Sequence, residues 1–167
     1  MSIINKKICM IGDFSVGKTS LTSRFVKNIF SDKYLSTVGV KVDSKNIDID
    51  SQTVLKLMVW DVAGKDAFTS LDDNYLRGSS GYLLVADGTR PKTIETAYKL
   101  QEHMCDKFDN LPFCMLINKY DLDNEWQCTE AELKDIKSKG WKCFKTSAKT
   151  GENVDMAFHK LGLQLLK

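Results

Sequence analysis

The chain has 167 residues, 43% of them hydrophobic and 28% charged, which suits a single globular domain, residues 1–167, with one hydrophobic core. Its 24 basic and 22 acidic side chains leave a net charge of +2 and no broad field for nucleic acid or anionic lipid. No apolar run approaches the ~18 residues that span a bilayer, the start lacks a secretion signal, and five cysteines without a C-x-x-C pair argue against a disulfide framework or zinc site and for a reducing compartment.

Short apolar runs alternate with helical patterns along the chain. Ile3 to Ile11 is predicted as a strand, and Gly17 to Lys27 as a helix with Leu21 and Phe25 on one face. Val40 to Asp50 and Val54 to Asp61 are predicted strands joined by the turn-like Asp50-Ser51-Gln52, too close for a crossover and therefore antiparallel. A weaker helix, Asp66 to Leu76, precedes the buried strand Gly81 to Asp87. Pro91 suits the first turn of a helix running to about Phe108, followed by the buried strand Pro112 to Asn118. Thr129 to Lys137 is predicted as a helix, with Thr129 and Glu132 in capping-box spacing. Trp141 to Thr146 is the last strand and Glu152 to Leu166 a closing amphipathic helix. His103 and His159 have no second ligand at metal spacing and are expected on solvated faces. Alternation of this kind implies an α/β sandwich around a mostly parallel sheet.

Gly12-Asp13-Phe14-Ser15-Val16-Gly17-Lys18-Thr19 satisfies G-x-x-x-x-G-K-[ST] between a strand and a helix. Glycines let the backbone wrap phosphate closely, while successive N–H groups and the helix N-terminus supply positive potential. In that mechanism Lys18 bridges the β- and γ-phosphates and the Thr19 hydroxyl ligates Mg²⁺. Asp61, opening Asp61-Val62-Ala63-Gly64 at a strand end, suits Mg²⁺ through water, and Gly64 can offer its N–H to a γ-phosphate; alone, D-x-x-G is too short to exclude chance. Asn118-Lys119-Tyr120-Asp121 leaves a buried strand. A carboxylate such as Asp121 accepts from both N1–H and the exocyclic amine of guanine, a donor pair adenine lacks. An isolated N-K-x-D also fits an ordinary polar loop. Thr146-Ser147-Ala148-Lys149 leaves another strand and can support the base edge by backbone N–H. All four loops lie at C-terminal strand ends, where open α/β sheets bind ligands.

These segments resemble the Ras superfamily, and the Rab family most closely, over nearly the whole chain: GDFSVGKTSL, YLSTVGV, KLMVWDVAG, NYLRGSSG, NKYD and TSAK. The resemblance implies a P-loop GTPase domain with a six-stranded, mostly parallel sheet, one antiparallel strand and about five helices. It implies a monomeric switch that binds GTP or GDP with Mg²⁺ and hydrolyses GTP to GDP and phosphate. Nucleotide contacts would come from Asp13, Phe14, Ser15, Val16, Gly17, Lys18, Thr19 and Ser20, from Phe30 edge-on to guanine, and from Tyr34 folded over the phosphates. Thr37, Gly64, Asn118, Lys119, Asp121, Leu122, Ser147, Ala148 and Lys149 complete that set. Thr19, Thr37 and Asp61 would hold the metal, and Lys18, Thr37, Gly64 and Lys65 would form the catalytic group. The segments around Thr37 and Gly64 would be switch regions. Implied partners are effectors, an exchange factor and a GTPase-activating protein, with a role in vesicle trafficking.

Several departures bear on that expectation. Lys65 stands where most relatives carry the water-orienting glutamine. An ammonium only donates, so slow hydrolysis is expected; the alternatives are charge stabilisation in cis or a solvent-pointing side chain. Phe14 occupies a position where many relatives are small, and its ring either crowds the attacking water or lies flat on the loop. Gly39-Val40-Lys41-Val42 replaces the usual G-V-D-F, which argues against standard Rab effectors, while Trp60 and Tyr75 keep aromatic effector positions or pack in the switch core. No lipidation signal is found, so a cytoplasmic location is expected, peripheral to membranes only with a lipidated tail. Two other readings compete: a GTP-binding interaction module with negligible turnover, and a P-loop kinase, which the absence of a lid-like insertion bearing Arg24, Arg77 or Arg90 disfavours.

Overall fold

The computed structural model describes residues 1–33, 39–62 and 73–167. Strands β1 (Ser2–Gly12), β2 (Val40–Asp48), β3 (Thr53–Val62), β4 (Gly81–Asp87), β5 (Phe113–Asn118) and β6 (Lys142–Lys145) form one sheet in the order β2-β3-β1-β4-β5-β6. Every neighbouring pair is parallel except β2 with β3, as the short hairpin between them requires. The connection in that hairpin is longer than expected, with four residues, Ile49 to Gln52, between the strands. The Asp50 carboxylate accepts from the Gln52 N–H at 2.8 Å, so the turn begins before Asp50 and β2 ends at Asp48.

Helices α1 (Lys18–Lys27), α2 (Asp73–Leu76), α3 (Pro91–Phe108), α4 (Glu130–Ser138) and α5 (Val154–Leu165) cover the two faces. The one core expected from composition is divided in two by the sheet. On one face Leu21 and Phe25 of α1 pack with Ala157, Phe158 and Leu161 of α5 over Ile8, Met10 and Leu57. The Phe25 and Phe158 rings stack at 3.9 Å between centroids, tying α1 to α5. On the other face Ile94, Ala97 and Leu100 of α3 join Leu133 and Ile136 of α4 over Ile11, Leu84 and Ile117. Buried on both sides, β4 is apolar along its length until Asp87.

Local chemistry sets the helix ends. Thr129 and Glu132 form the expected capping box, with reciprocal bonds of 2.9 and 3.1 Å. The closing helix starts at Val154 instead of Glu152, because Gly151 and Asn153 adopt left-handed backbone at φ 87° and 60°. A single 3₁₀ turn at Asp123–Glu125, too short for a periodic pattern, was not foreseen. Of the weak helix expected over Asp66 to Leu76, Asp73–Leu76 is helical and the rest lies outside the described residues. His103 is not simply solvated: its Nε2 lies 2.9 Å from Asp73 Oδ1, joining α3 to α2. No helix among the described residues is long and apolar enough to cross a membrane.

Parallel pairing with little stagger brings one edge of the sheet to a common line. Met10 pairs with Asp61, Gly12 with Val85, and Asp87 with Asn118. The C-terminal ends of β1, β3, β4, β5 and β6 therefore lie on the same side.

Candidate functional site

A cleft of about 470 Å³ lies along that edge, lined among others by Phe14, Ser15, Gly17, Lys18, Thr19, Asn118, Asp121 and Ala148. The loop from Gly12 to Gly17 forms one end. Gly17 sits at φ 104° immediately before α1, and a Cβ there would run into the Asn118 amide, so only glycine fits.

Each carbonyl from Gly12 to Val16 has a side-chain donor. Lys18 Nζ donates to Gly12 O at 2.9 Å and Asp13 O at 2.8 Å. Arg90 Nη2 donates to Phe14 O at 2.8 Å, Lys119 Nζ to Ser15 O at 2.8 Å, and Asn118 Nδ2 to Val16 O at 3.0 Å. In a trans peptide the N–H points opposite to the carbonyl. Holding the carbonyls of Phe14, Ser15 and Val16 outward turns the N–H groups of Ser15, Val16 and Gly17 the other way, toward the cleft. That is an anion nest at a helix N-terminus.

Lys18 is buried, and burial lowers its pKa to about 8 against the opposing pull of Asp61 and Asp13. Its folded-state pKa lies below that of an unfolded lysine, so the unfolded chain binds more protons between about pH 8 and 10.5. Lys18 therefore contributes stability to the ligand-free protein that rises with pH across that window, opposed above about pH 9 by the buried thiols of Cys114, Cys128 and Cys143, which burial raises to between about 11 and about 12.

Beside it, Thr19 Oγ1 donates to Asp61 Oδ2 at 2.5 Å. Asp61 is 1% exposed, and its Oδ1 has no hydrogen-bond partner among the described residues. Burial pushes its carboxyl pKa up, while the Thr19 bond and the Lys18 charge pull it down. An orphaned buried carboxylate oxygen next to a hydroxyl is a donor set that suits a hard divalent cation or its water. Lys41 also lines the cleft and faces Asp61 across the β2–β3 pair.

At the other end, Asn118 organises the base-side loops. Its Oδ1 accepts from Thr146 Oγ1 at 3.1 Å and from the Ala148 N–H at 3.3 Å. Ser147 Oγ donates to Asp121 Oδ1 at 2.7 Å, leaving the second carboxylate oxygen for other donors. Arg24, from the last turn of α1, donates to the carbonyls of Ala148 at 2.8 Å and Lys149 at 2.6 Å. Phe30 packs against the α1–α5 core and reaches the cleft, as do Ser20, Leu122 and Lys149.

A family model described as the Ras family matches residues 7–167. The chain belongs to the Ras family. It is 33% identical over 162 residues to the Ras-related protein Rab-13 of Canis lupus familiaris, covering 96% of this chain and 79% of that protein. It is 34% identical over 171 residues to the Ras-related protein Rab7 of Drosophila melanogaster, covering 96% and 80%. Rab-13 of Bos taurus is 33% identical over 162 residues. This is a Rab-like small GTPase, a guanine-nucleotide-binding hydrolase of a family that works through effectors, exchange factors and activating proteins.

Within this GTPase the structure gathers Asp13, Phe14, Ser15, Val16, Gly17, Lys18, Thr19, Asp61, Asn118, Lys119, Asp121, Ser147 and Ala148 at one sheet edge. Tyr34, Thr37, Gly64 and Lys65 lie outside the described residues. The Phe14 ring lines the cleft and is 39% exposed, so it is not packed into the core. Trp60 is half-buried beneath the Lys7 ammonium, 3.6 Å from its ring centre, and Tyr75 is half-buried in α2. Asp87, Arg90 and Arg24 were not foreseen as parts of the site. The available signal for Asp87 was a carboxylate closing an otherwise apolar strand at the ligand edge.

Proposed function

We propose that the chain is a single domain, residues 1–167, acting as a monomeric switch that binds GTP and GDP with Mg²⁺ and hydrolyses GTP slowly. The observation that carries this reading is the Gly12–Gly17 loop, whose carbonyls from Gly12 to Val16 are held by side-chain donors, an arrangement that supports turning the Ser15, Val16 and Gly17 N–H groups toward the cleft. Those N–H groups and Lys18 bind the polyphosphate. Asp121 accepts from the guanine N1–H and amine, Phe30 flanks the base, and Ala148 and Lys149 support its edge. Thr19, Thr37 and Asp61 hold the metal, a fit supported by the unpartnered Asp61 oxygen. A magnesium ion bound there neutralises charge on the phosphate oxygens.

In the reaction, water oxygen bonds to the γ-phosphorus as the bond to the β–γ bridging oxygen breaks, giving GDP and phosphate. Lys18 stabilises charge on the oxygens, and the Thr37 and Gly64 N–H groups orient the γ-phosphate. Lys65 offers only donors, so the attacking water has no amide oxygen to align it, and the step is slow. Lys65 and Phe14 together also favour a second reading, a GTP-holding interaction module with negligible turnover. In either case effectors, in a trafficking role, would read the triphosphate state at a surface altered by Lys41 and Val42.

Chromatography of the nucleotide released by denaturing freshly purified protein tests this. Guanine nucleotide in near-stoichiometric amount is expected, with GTP exceeding GDP. Recovery of adenine nucleotide would sink the role given to Asp121, and pure GDP would sink slow hydrolysis.

A further result follows from the depressed Lys18. Bound phosphate keeps it charged, whereas burial favours the neutral amine in the free site, so GDP binding takes up protons near pH 8 and fewer at pH 7. Calorimetry in two buffers of different ionisation enthalpy measures this. Equal heats in both buffers at pH 8 would contradict it.

A further inference from the structure

Asp87 closes β4 and Arg90 ends the short β4–α3 connection, outside the phosphate loop and the base-side loops. Asp87 is 1% exposed, and both its carboxylate oxygens are fully engaged. Oδ1 accepts from the Thr89 N–H at 2.8 Å and the Thr89 hydroxyl at 2.7 Å. Oδ2 accepts from Arg90 Nε at 3.0 Å and Lys119 Nζ at 2.9 Å. Burial pushes this carboxyl up, yet the bonds from Thr89, Lys119 and Arg90 outweigh it and hold it below the usual carboxylate range. One buried anion thus gathers two cations. Each cation then donates onward to a consecutive carbonyl of the loop, Arg90 to Phe14 O and Lys119 to Ser15 O.

Arg90 is fixed along its whole length. Its N–H donates to Asp87 O at 3.0 Å, and its carbonyl accepts from Thr93 Oγ1 at 2.7 Å. The planar guanidinium spans from Asp87 Oδ2 through Nε to Phe14 O through Nη2, so its two contacts are made by separate nitrogens in a fixed plane. The carbonyl it holds precedes Ser15, a non-glycine residue at φ 60°. Left-handed backbone at a serine persists only when its surroundings impose it. Reversing the Phe14–Ser15 peptide would withdraw the Ser15 N–H and turn a carbonyl dipole on any anion in the cleft.

We infer that Arg90, held by Asp87, is a positioning residue of the phosphate site, acting through the Phe14 carbonyl to keep the Ser15 N–H directed at the terminal phosphates. The inference rests on the phosphate-loop reading above. It predicts an effect on phosphates beyond the first, because the bond from Arg90 ends on the Phe14 carbonyl and so bears on the Ser15 N–H.

The test compares GDP and GMP binding to wild type, Arg90→Ala and Arg90→Lys by competition against a fluorescent GDP analogue at constant Mg²⁺. Arg90→Ala should weaken GDP about tenfold and speed its release, leave GMP within about twofold, and Arg90→Lys should recover only part of the loss. A role in general folding would lower GDP and GMP affinity in parallel; that result, or unchanged GDP affinity, overturns the inference. Wild type that binds GDP no better than GMP would instead show that the loop does not hold terminal phosphates, and the inference would fall with that reading.

Discussion

Asp121→Asn will weaken GDP binding by on the order of 10²- to 10⁴-fold and reverse the preference between guanine and xanthine nucleotides. The reason is the Ser147 hydroxyl, which donates to Asp121 Oδ1 at 2.7 Å. An asparagine that keeps this bond points its oxygen at Ser147 and its NH₂ at the base. Donor then meets donor at the guanine edge, whereas xanthine presents an acceptor at that position. An asparagine that turns its oxygen to the base abandons the Ser147 hydroxyl instead. Competition of GDP, XDP and ADP against a fluorescent analogue measures the outcome, with thermal melting as the folding control. A variant that still prefers guanine would remove Asp121 from base recognition.

Lys65→Gln will raise the single-turnover rate of GTP hydrolysis about tenfold or more, read as phosphate release from preloaded protein. Glutamine restores a carbonyl acceptor for the attacking water and keeps a donor for the γ-phosphate; lysine supplies only the donor. Lys65→Ala separates the two contributions. If alanine is slower than wild type, the ammonium assists the reaction by stabilising charge. Should wild type turn over as fast as the glutamine variant, the slow-hydrolysis reading is wrong.

Much of this architecture is visible in residue patterns. GYLLVAD and PFCMLIN are apolar on both faces, as central parallel strands must be, and the spacing between Asp50 and Thr53 leaves no room for a crossover. Thr129 with Glu132 announces a helix start through chemistry confined to four consecutive residues. The loop motifs were equally legible, because their glycines and polar residues are dictated by local backbone geometry. What escaped is what depends on distant partners. Arg90 meets Phe14 across 76 positions, and Arg24 meets Ala148 across 124; no local period encodes either contact. Asp87 reads as an unremarked end to a strand until the fold brings Lys119 and Arg90 to it. Boundaries moved for smaller reasons, as where left-handed backbone at Gly151 and Asn153 delays α5.

The buried Lys18 has a further consequence for the life of the protein. The Lys18 ammonium is enclosed by carbonyl oxygens with the Arg90 charge opposing it, and burial outweighs the pull of Asp61 and Asp13, so a polyphosphate supplies counter-charge that the empty site is short of. Nucleotide is therefore a structural member of the native state as well as its cargo. A ligand at a thousand times its dissociation constant adds about 4 kcal/mol to stability, a large share of what a domain this size has. The empty form is the one exposed to unfolding and proteolysis, so cellular guanine nucleotide levels would govern how much of this chain persists, quite apart from which state of the switch it occupies.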